Sequence, residues 1–132
     1  MIVRQTVQRI LRNNKMDMTF EMLQVMHRLG EKPGVSQQYL ADETVKDKAS
    51  LTNLINNLEK KGWVERKEDP NDRRNKQIYL TQEGEALSTR VTPLLHEVYD
   101  SVEEKLSAKE MESCIRYLRK LDMTLEKIHV NV

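Results

Sequence analysis

Short hydrogen-bonding side chains cluster within residues 48–61, where they would share the outer face of one helix. They are Ser50, Thr52, Asn53, Asn56 and Asn57. A face that meets only water is more stable with Glu, Lys or Ala, because Ser, Thr and Asn have poorer helix propensity. Asn can pair with adenine in the major groove of DNA, and Ser or Thr can reach bases or phosphates. These residue types predict contact with DNA, against the alternative of an ordinary polar surface.

The same segment carries an apolar face that predicts an amphipathic helix. Apolar residues recur at spacings of three and four, at Leu51, Leu54, Ile55 and Leu58. Asp47 precedes them as a candidate N-cap, and Gly62 follows as a stop signal. The apolar face of this helix is therefore expected to be buried in a core, so that the Ser, Thr and Asn side chains of the opposite face point outward.

A charged hairpin is predicted directly after this helix. Residues 63–66 and 77–80 alternate like strands and contain β-forming side chains, and the turn residues of 68–72 lie between them. Five positive charges are concentrated near the tip, at Arg66, Lys67, Arg73, Arg74 and Lys76, against Glu68, Asp69 and Asp72. Such a tip suits the narrow, electronegative minor groove, and a solvated charged turn is the alternative. The Asp72 carboxylate is expected to fix one neighbouring guanidinium and leave the other able to reach DNA.

Three strings in this region resemble the MarR family of bacterial transcriptional regulators. They are LEKKG at 58–62, DPNDRR at 69–74 and LTQEG at 80–84, within a match that is specific over about residues 36–87. The resemblance implies a homodimer that binds double-stranded DNA. It also implies repression, and release when a small aromatic or phenolic effector binds.

The resemblance assigns roles to individual residues. Ser50, Thr52, Asn53 and Asn56 would contact bases and phosphates, with Arg73 and Arg74 at the wing. We expect Arg74 to enter the minor groove, since Arg73 lies immediately beside Asp72, and a far larger loss of affinity for Arg73→Ala would reverse this assignment. Lys48 and Lys76 are predicted phosphate contacts.

The remaining elements predict a mainly α fold with a small β-wing. Three helices are expected before the DNA-contacting one: over 2–13, after the N-cap Thr19, and over 37–44 with Ser36 as cap, followed by a turn at Val45–Lys46. Two more are expected after the wing, one from Thr81 or Glu83 onward and one after a capping box at Ser107–Glu110. Pro93 is expected to kink or locally break the helix that begins at Thr81 or Glu83. The predicted organisation is a single domain, 1–132. In it a winged helix-turn-helix over about 19–83 is flanked by dimerisation helices over about 1–14 and 84–132. Closure of a monomeric core by the flanking helices is the alternative.

Composition excludes several classes of protein. The 132 residues, 38% hydrophobic and 33% charged, suit one domain with a modest core. No stretch approaches the ~20 apolar residues of a transmembrane helix, and the first residues continue into a helix pattern rather than a signal peptide. A cytoplasmic protein without a membrane partner is expected.

No constellation of residues predicts catalysis, a metal site or a cofactor. The histidines His27, His96 and His129 are far apart and lack ligand spacing. There is neither a Gly-rich phosphate loop nor a Ser/His/Asp ordering. Cys114, the single cysteine, excludes an intrachain disulfide and is predicted to be a buried structural thiol.

Charge is distributed unevenly although the net charge is only +1. From Lys46 to Lys76 nine Lys and Arg face six Asp and Glu, whereas from Glu83 to Glu112 eight acids face three bases. This separation would direct one basic end toward phosphates. We therefore expect a sequence-specific DNA-binding regulator, a homodimeric repressor of a pseudo-palindromic operator. The alternative is a winged helix that binds only proteins, whose recognition helix would carry an exposed apolar face.

Overall fold

The computed structural model describes residues 2–44 and 47–130, without the side chains of Ile2, Arg73, His129 and Val130. The predicted turn at Val45 and Lys46 lies outside these residues. The helices are α1 (Ile2–Asn13), α2 (Phe20–Glu31), α3 (Gln37–Thr44), α4 (Lys48–Lys60), α5 (Gln82–Lys105) and α6 (Ala108–Val130). The strands are β1 (Val35–Ser36), β2 (Val64–Asp69) and β3 (Asp72–Leu80). The mainly α fold with a small wing is confirmed.

Side-chain caps begin four of the helices, as predicted. The Ser36 hydroxyl accepts the Tyr39 N–H at 3.1 Å at the start of α3. The Thr19 hydroxyl accepts a hydrogen bond from the backbone N–H of Met22 at 3.1 Å. At the start of α6, the Ser107 hydroxyl accepts the Glu110 N–H at 3.1 Å, and the Glu110 carboxylate accepts the Ser107 N–H at 3.0 Å. Asp47 caps α4 in the same way. These local bonds satisfy amide donors that the first helical turn leaves without partners.

Helix α5 is not broken at Pro93. The helix runs through 24 residues with Pro93 inside it, so the predicted local break is wrong. Proline removes one backbone donor from the helix. The turns on either side keep their own hydrogen bonds, which is sufficient to continue the helix.

The sheet is antiparallel, with strand order β1-β3-β2. Strands β2 and β3 pair from Val64↔Leu80 to Asp69↔Asp72, so the hairpin is longer than predicted and only Pro70 and Asn71 lie between the strands. Strand β1 was not predicted, because two residues are too few to show an alternating pattern. It pairs Val35 with Ile78 and thereby anchors the wing beside the start of α3.

Residues 1–94 form one compact unit, which contains the predicted winged helix-turn-helix. Its core comes from every helix of the unit and from β3. The largest fully buried side chains are Leu11, Val25, Met26, Leu29, Leu40, Leu51, Ile55, Leu58, Ile78 and Val91. Of the four apolar residues predicted to bury the inner face of α4, Leu51, Ile55 and Leu58 are completely buried and Leu54 is half-buried.

Residues 95–132 form a second compact unit, which contains α6 and the last part of α5. Many of its large apolar side chains are exposed, among them Ile115, Leu118, Leu121, Leu125 and Ile128. Cys114 is also exposed, so the prediction of a buried thiol is wrong for this chain. That prediction assumed a covered α6, whereas the single chain leaves this side of the helix open. Across the described residues, no helix is long and apolar enough to span a membrane.

Candidate nucleic-acid interface

The exposed face of α4 presents two asparagines whose side chains make no hydrogen bond to any described residue. Asn53 and Asn56 are both exposed, and they alternate along the helix with the buried Leu51 and Ile55. The core therefore fixes the rotation of the helix about its axis. Each amide keeps its donors and its acceptor for an external partner, as bidentate pairing with adenine requires.

Ser50 and Thr52, predicted with the asparagines, already have intramolecular partners. The Ser50 hydroxyl donates to Asp47 Oδ2 at 2.7 Å. The half-buried Thr52 hydroxyl donates to the Lys48 carbonyl at 2.8 Å and accepts from Gln37 Nε2. A phosphate accepts hydrogen bonds only, so either hydroxyl would have to give up its present acceptor to donate to one. As placed here, the Ser50 hydroxyl supports the Asp47 cap of α4, and Thr52 connects α4 to α3.

The Asp47 carboxylate fixes the N-terminus of α4. Its Oδ1 accepts the backbone N–H of Ser50 at 2.8 Å. This bond, followed by the one from the Ser50 hydroxyl, lowers the pKa of Asp47 from its ordinary value. The ionised form of a capping carboxylate is favoured by the donors and the positive end of the helix dipole.

Asp47→Ala should lower the free energy of unfolding at pH 7. The difference in this free energy between the variant and the unchanged chain should become smaller as the pH falls. The pKa of Asp47 is lower in the folded than in the unfolded chain, so its contribution is present above about pH 4. It is lost as the pH falls through the lowered pKa. Urea midpoints at pH 7 and pH 3 measure the difference. Asp100→Ala, at an exposed carboxylate without a partner among the described residues, should show no such narrowing. A pH-independent difference for Asp47→Ala would contradict the ionised cap.

Carboxylates shape the wing tip through backbone hydrogen bonds. Asp69 Oδ1 accepts the Asn71 N–H at 2.9 Å, and Asp72 Oδ1 accepts the Arg74 N–H at 3.0 Å. No ion pair joins Asp72 to the Arg74 guanidinium, and the side chain of Arg73 lies outside the described part of the chain. The geometry supports a role for Asp72 in forming the wing through a backbone contact, and the predicted pairing of its carboxylate with the Arg73 guanidinium stays a prediction.

The cations of the wing divide into two groups. Arg66 pairs with Glu59 of α4 and is largely buried, and Lys67 pairs with Glu65 at 3.3 Å. Arg74 and Lys76 are exposed and have no carboxylate partner within the described residues. The first two therefore attach the wing and compensate local charge, while the last two keep their charge for an external anion.

Arg74 and Lys76 share a groove with Lys48 of α4. The groove has a volume of about 280 Å³, and the start of α3 lines it with Gln37 and Gln38. No carboxylate lines this groove, so its three unpaired cations are well placed for a phosphate. The sequence interpretation missed both glutamines. The available signal was their position after the capping Ser36, at the N-terminus of the first helix of the helix-turn-helix.

Helices α3 and α4 with the β2–β3 hairpin make this a winged helix-turn-helix protein. A model of the MarR family matches residues 16–75. Transcriptional regulator HosA of Escherichia coli O111:H- is 32% identical over 105 residues, which cover 80% of this chain and 78% of that protein.

Two solved structures share the fold. A mutant MarR from E. coli complexed with operator DNA superposes with a TM-score of 0.79 at 26% identity, covering 91% of this chain and 88% of that one. The S. aureus MepR–DNA complex superposes with a TM-score of 0.83 at 26% identity, covering 93% and 88%. The chain belongs to the MarR family. It is a transcriptional regulator, not an enzyme.

Proposed function

We propose that this protein is a homodimeric repressor that binds a pseudo-palindromic operator and is released from it by a small aromatic or phenolic ligand. The observation that carries the DNA-binding part is the unpaired Asn53 and Asn56 on the exposed face of α4, together with an acid-free groove lined by Lys48, Arg74 and Lys76. Two MarR-family structures with this fold are complexes with DNA, which supports the same partner here.

In the proposed complex, α4 lies in the major groove and the wing flanks it. Asn53 and Asn56 contact base edges, which gives sequence specificity. Lys48 and Lys76 contact phosphates, and Arg74 at the wing reaches the minor groove. Phosphate contacts set the position of the protein, and base contacts set its choice of sequence.

A homodimer accounts for the apolar side of α6. Met111, Leu118 and Leu125 recur every seven residues, and Cys114, Leu121 and Ile128 follow the same repeat three residues later. This is the spacing of a helix that packs against another helix. Leu118 and Leu121 are 61% and 56% exposed in the single chain, and a second copy would cover them. A two-fold axis would then place two copies of α4 in successive major grooves, about one helical turn apart.

The alternative, a winged helix that binds only proteins, requires an apolar exposed face on α4. The exposed residues of that helix are Lys48, Ala49, Ser50, Asn53, Asn56, Asn57 and Lys60. Only Ala49 is apolar among them, and an alanine offers little surface for a protein interface. The composition of the face favours DNA.

Arg74→Ala/Lys76→Ala should weaken binding to operator DNA by about tenfold or more and reduce the slope of log K against log salt by about 2. Each cation that no longer reaches the DNA, Lys76 at a phosphate or Arg74 in the electronegative minor groove, leaves about one more counterion condensed on the duplex. Fluorescence anisotropy with the DNA upstream of the protein's own gene, at several salt concentrations, measures both quantities. If that DNA does not bind, selection from a random pool supplies the operator.

The matched control is Lys105→Ala/Lys109→Ala, which removes the same charge from two exposed lysines outside the groove. It should leave the salt slope unchanged. Equal losses for the two double variants would mean that the groove has no special role. Failure to select any sequence from the random pool would favour the protein-binding alternative.

A further inference from the structure

The chemistry of the exposed face of α4 indicates which base pairs it can read. Three exposed residues follow one another along this face, Ala49, Asn53 and Asn56. They are four and three positions apart, so they lie on one side of the helix and form what we call the reading row. Leu51 and Ile55, on the opposite side, are completely buried, which holds the reading row outward.

The two asparagines of the reading row are complementary to adenine. In the major groove adenine presents one acceptor, N7, and one donor, the N6 amino group. An asparagine amide has both donors and an acceptor, and the exposed Asn53 and Asn56 have no side-chain partner among the described residues. Guanine presents two acceptors instead, which would leave the amide oxygen without a donor at the interface. Because an unpaired polar group costs free energy when it is buried, adenine is preferred over guanine.

Ala49 adds a preference for thymine. Thymine carries a methyl group in the major groove, and a small apolar side chain such as alanine can pack against it. Among residues 48–60, all of which the structure describes, Ala49 is the only exposed apolar residue. Cytosine presents an amino donor in the major groove, to which the alanine side chain cannot bond. The reading row is therefore suited to both bases of an A·T pair.

Helix α4 lacks free groups of the kind that read G·C pairs near the reading row. Guanine is most often read by arginine or lysine, and cytosine by a carboxylate. The helix contains no arginine, and its two lysines, Lys48 and Lys60, are its first and last residues. Its single carboxylate, Glu59, already pairs with Arg66. No side chain in the middle of the helix thus favours a G·C pair.

The wing favours the same base composition independently of α4. Arg74 is exposed and has no carboxylate partner within the described residues. Runs of A·T pairs have a narrow minor groove with an enhanced negative potential, which attracts an inserted arginine. The two elements of the proposed interface therefore select the same kind of DNA by different physical means.

We propose that each half of the operator contains a run of about three or four consecutive A·T pairs, which the reading row contacts in the major groove. The length of the run follows from the geometry of the helix. From Ala49 to Asn56 an α-helix rises about 10 Å, and successive base pairs lie about 3.4 Å apart. This proposal rests on the proposed function, because it specifies the DNA that the same surface binds.

Selection from a random pool of DNA, with the unchanged protein, tests the base composition. We expect enriched sequences in which both half-sites contain at least about three adjacent A·T pairs at corresponding positions. Half-sites with G·C pairs throughout the contacted positions would overturn this proposal and leave the proposed function intact. If no sequence is enriched, the proposed function is overturned, and this proposal with it.

Replacement of single atoms in the selected operator tests the contact of Asn53 with adenine. The base 7-deazaadenine lacks the N7 acceptor but still pairs with thymine, so one such replacement in a half-site should weaken binding about tenfold. At the adenine that Asn53 reads, the same replacement should cost nothing further in Asn53→Ala, because the contact is already absent. The matched control is Asn13→Ala, at an exposed asparagine of α1, which should keep the full loss.

Two outcomes of this experiment would overturn the adenine contact. One is a loss that persists in Asn53→Ala at every adenine, and the other is an unchanged affinity for every replaced operator. Circular dichroism shows whether Asn53→Ala is folded, as expected for an exposed position. Uracil in place of thymine removes one methyl group and should weaken binding about fourfold, whereas an unchanged affinity at every thymine would overturn the role of Ala49.

Discussion

Gly84→Ala should lower the free energy of unfolding by about 3 kcal/mol or more, at the upper end of the cost of overpacking. Gly84 is buried in the first turn of α5. A β-carbon built on it would lie 2.1 Å from the carbonyl oxygen of Trp63. The neighbouring atom is backbone, and that same oxygen accepts the Thr81 N–H. That oxygen therefore cannot move without breaking the bond from Thr81, the residue before α5, to Trp63, the residue before β2.

Gly30→Ala is the matched control for this prediction. A β-carbon at Gly30 would meet only a Leu80 methyl group, at the ordinary contact distance of 3.9 Å, and Gly30 lies within α2. The change should be neutral or stabilising by about 0.5–1 kcal/mol, because alanine loses less backbone entropy than glycine in a helix. Urea denaturation of both variants at pH 7 measures the difference. Similar stabilities would contradict the close approach of α5 to Trp63.

Features set by neighbours in the sequence could be predicted, and their residues were identified correctly. The caps Thr19, Asp47 and Ser107 each satisfy an amide three residues ahead. The buried face of α4 followed from the spacing of Leu51, Ile55 and Leu58, because helical periodicity alone decides which residues share a side. These properties require no knowledge of distant parts of the chain.

Features set by contacts between distant residues could not be predicted. The pairing of Val35 with Ile78 joins residues 43 positions apart, and no local pattern indicates it. Thr52 was assigned to DNA on its residue type and on the family resemblance, whereas its bond with Gln37 depends on how α3 and α4 pack. The separation of Arg66 from Arg74 and Lys76 likewise depends on Glu59 facing β2. The sequence thus predicted that the wing is basic, but it could not predict which cations of the wing remain unpaired.

Leu118→Glu/Leu121→Glu should convert the proposed homodimer into a monomer and remove most of its affinity for a two-fold operator. Full burial of one leucine contributes about 1.5–3 kcal/mol, and two leucines from each of two subunits would lose this together. The dimer dissociation constant should rise on the order of 10⁴-fold. Analytical ultracentrifugation across a range of protein concentrations measures it, and anisotropy measures operator binding.

The exposure of these leucines makes the result interpretable. Because both are more than half exposed in the single chain, their replacement removes few contacts within it, and circular dichroism of the variant should remain helical. Arg119→Glu/Lys120→Glu changes more charge on the same helix, at positions outside the seven-residue repeat of apolar side chains. That variant should stay dimeric. If the leucine variant remains a dimer, other residues form the interface. If it is a monomer with full operator affinity, operator binding does not require the two-fold dimer of the proposed mechanism.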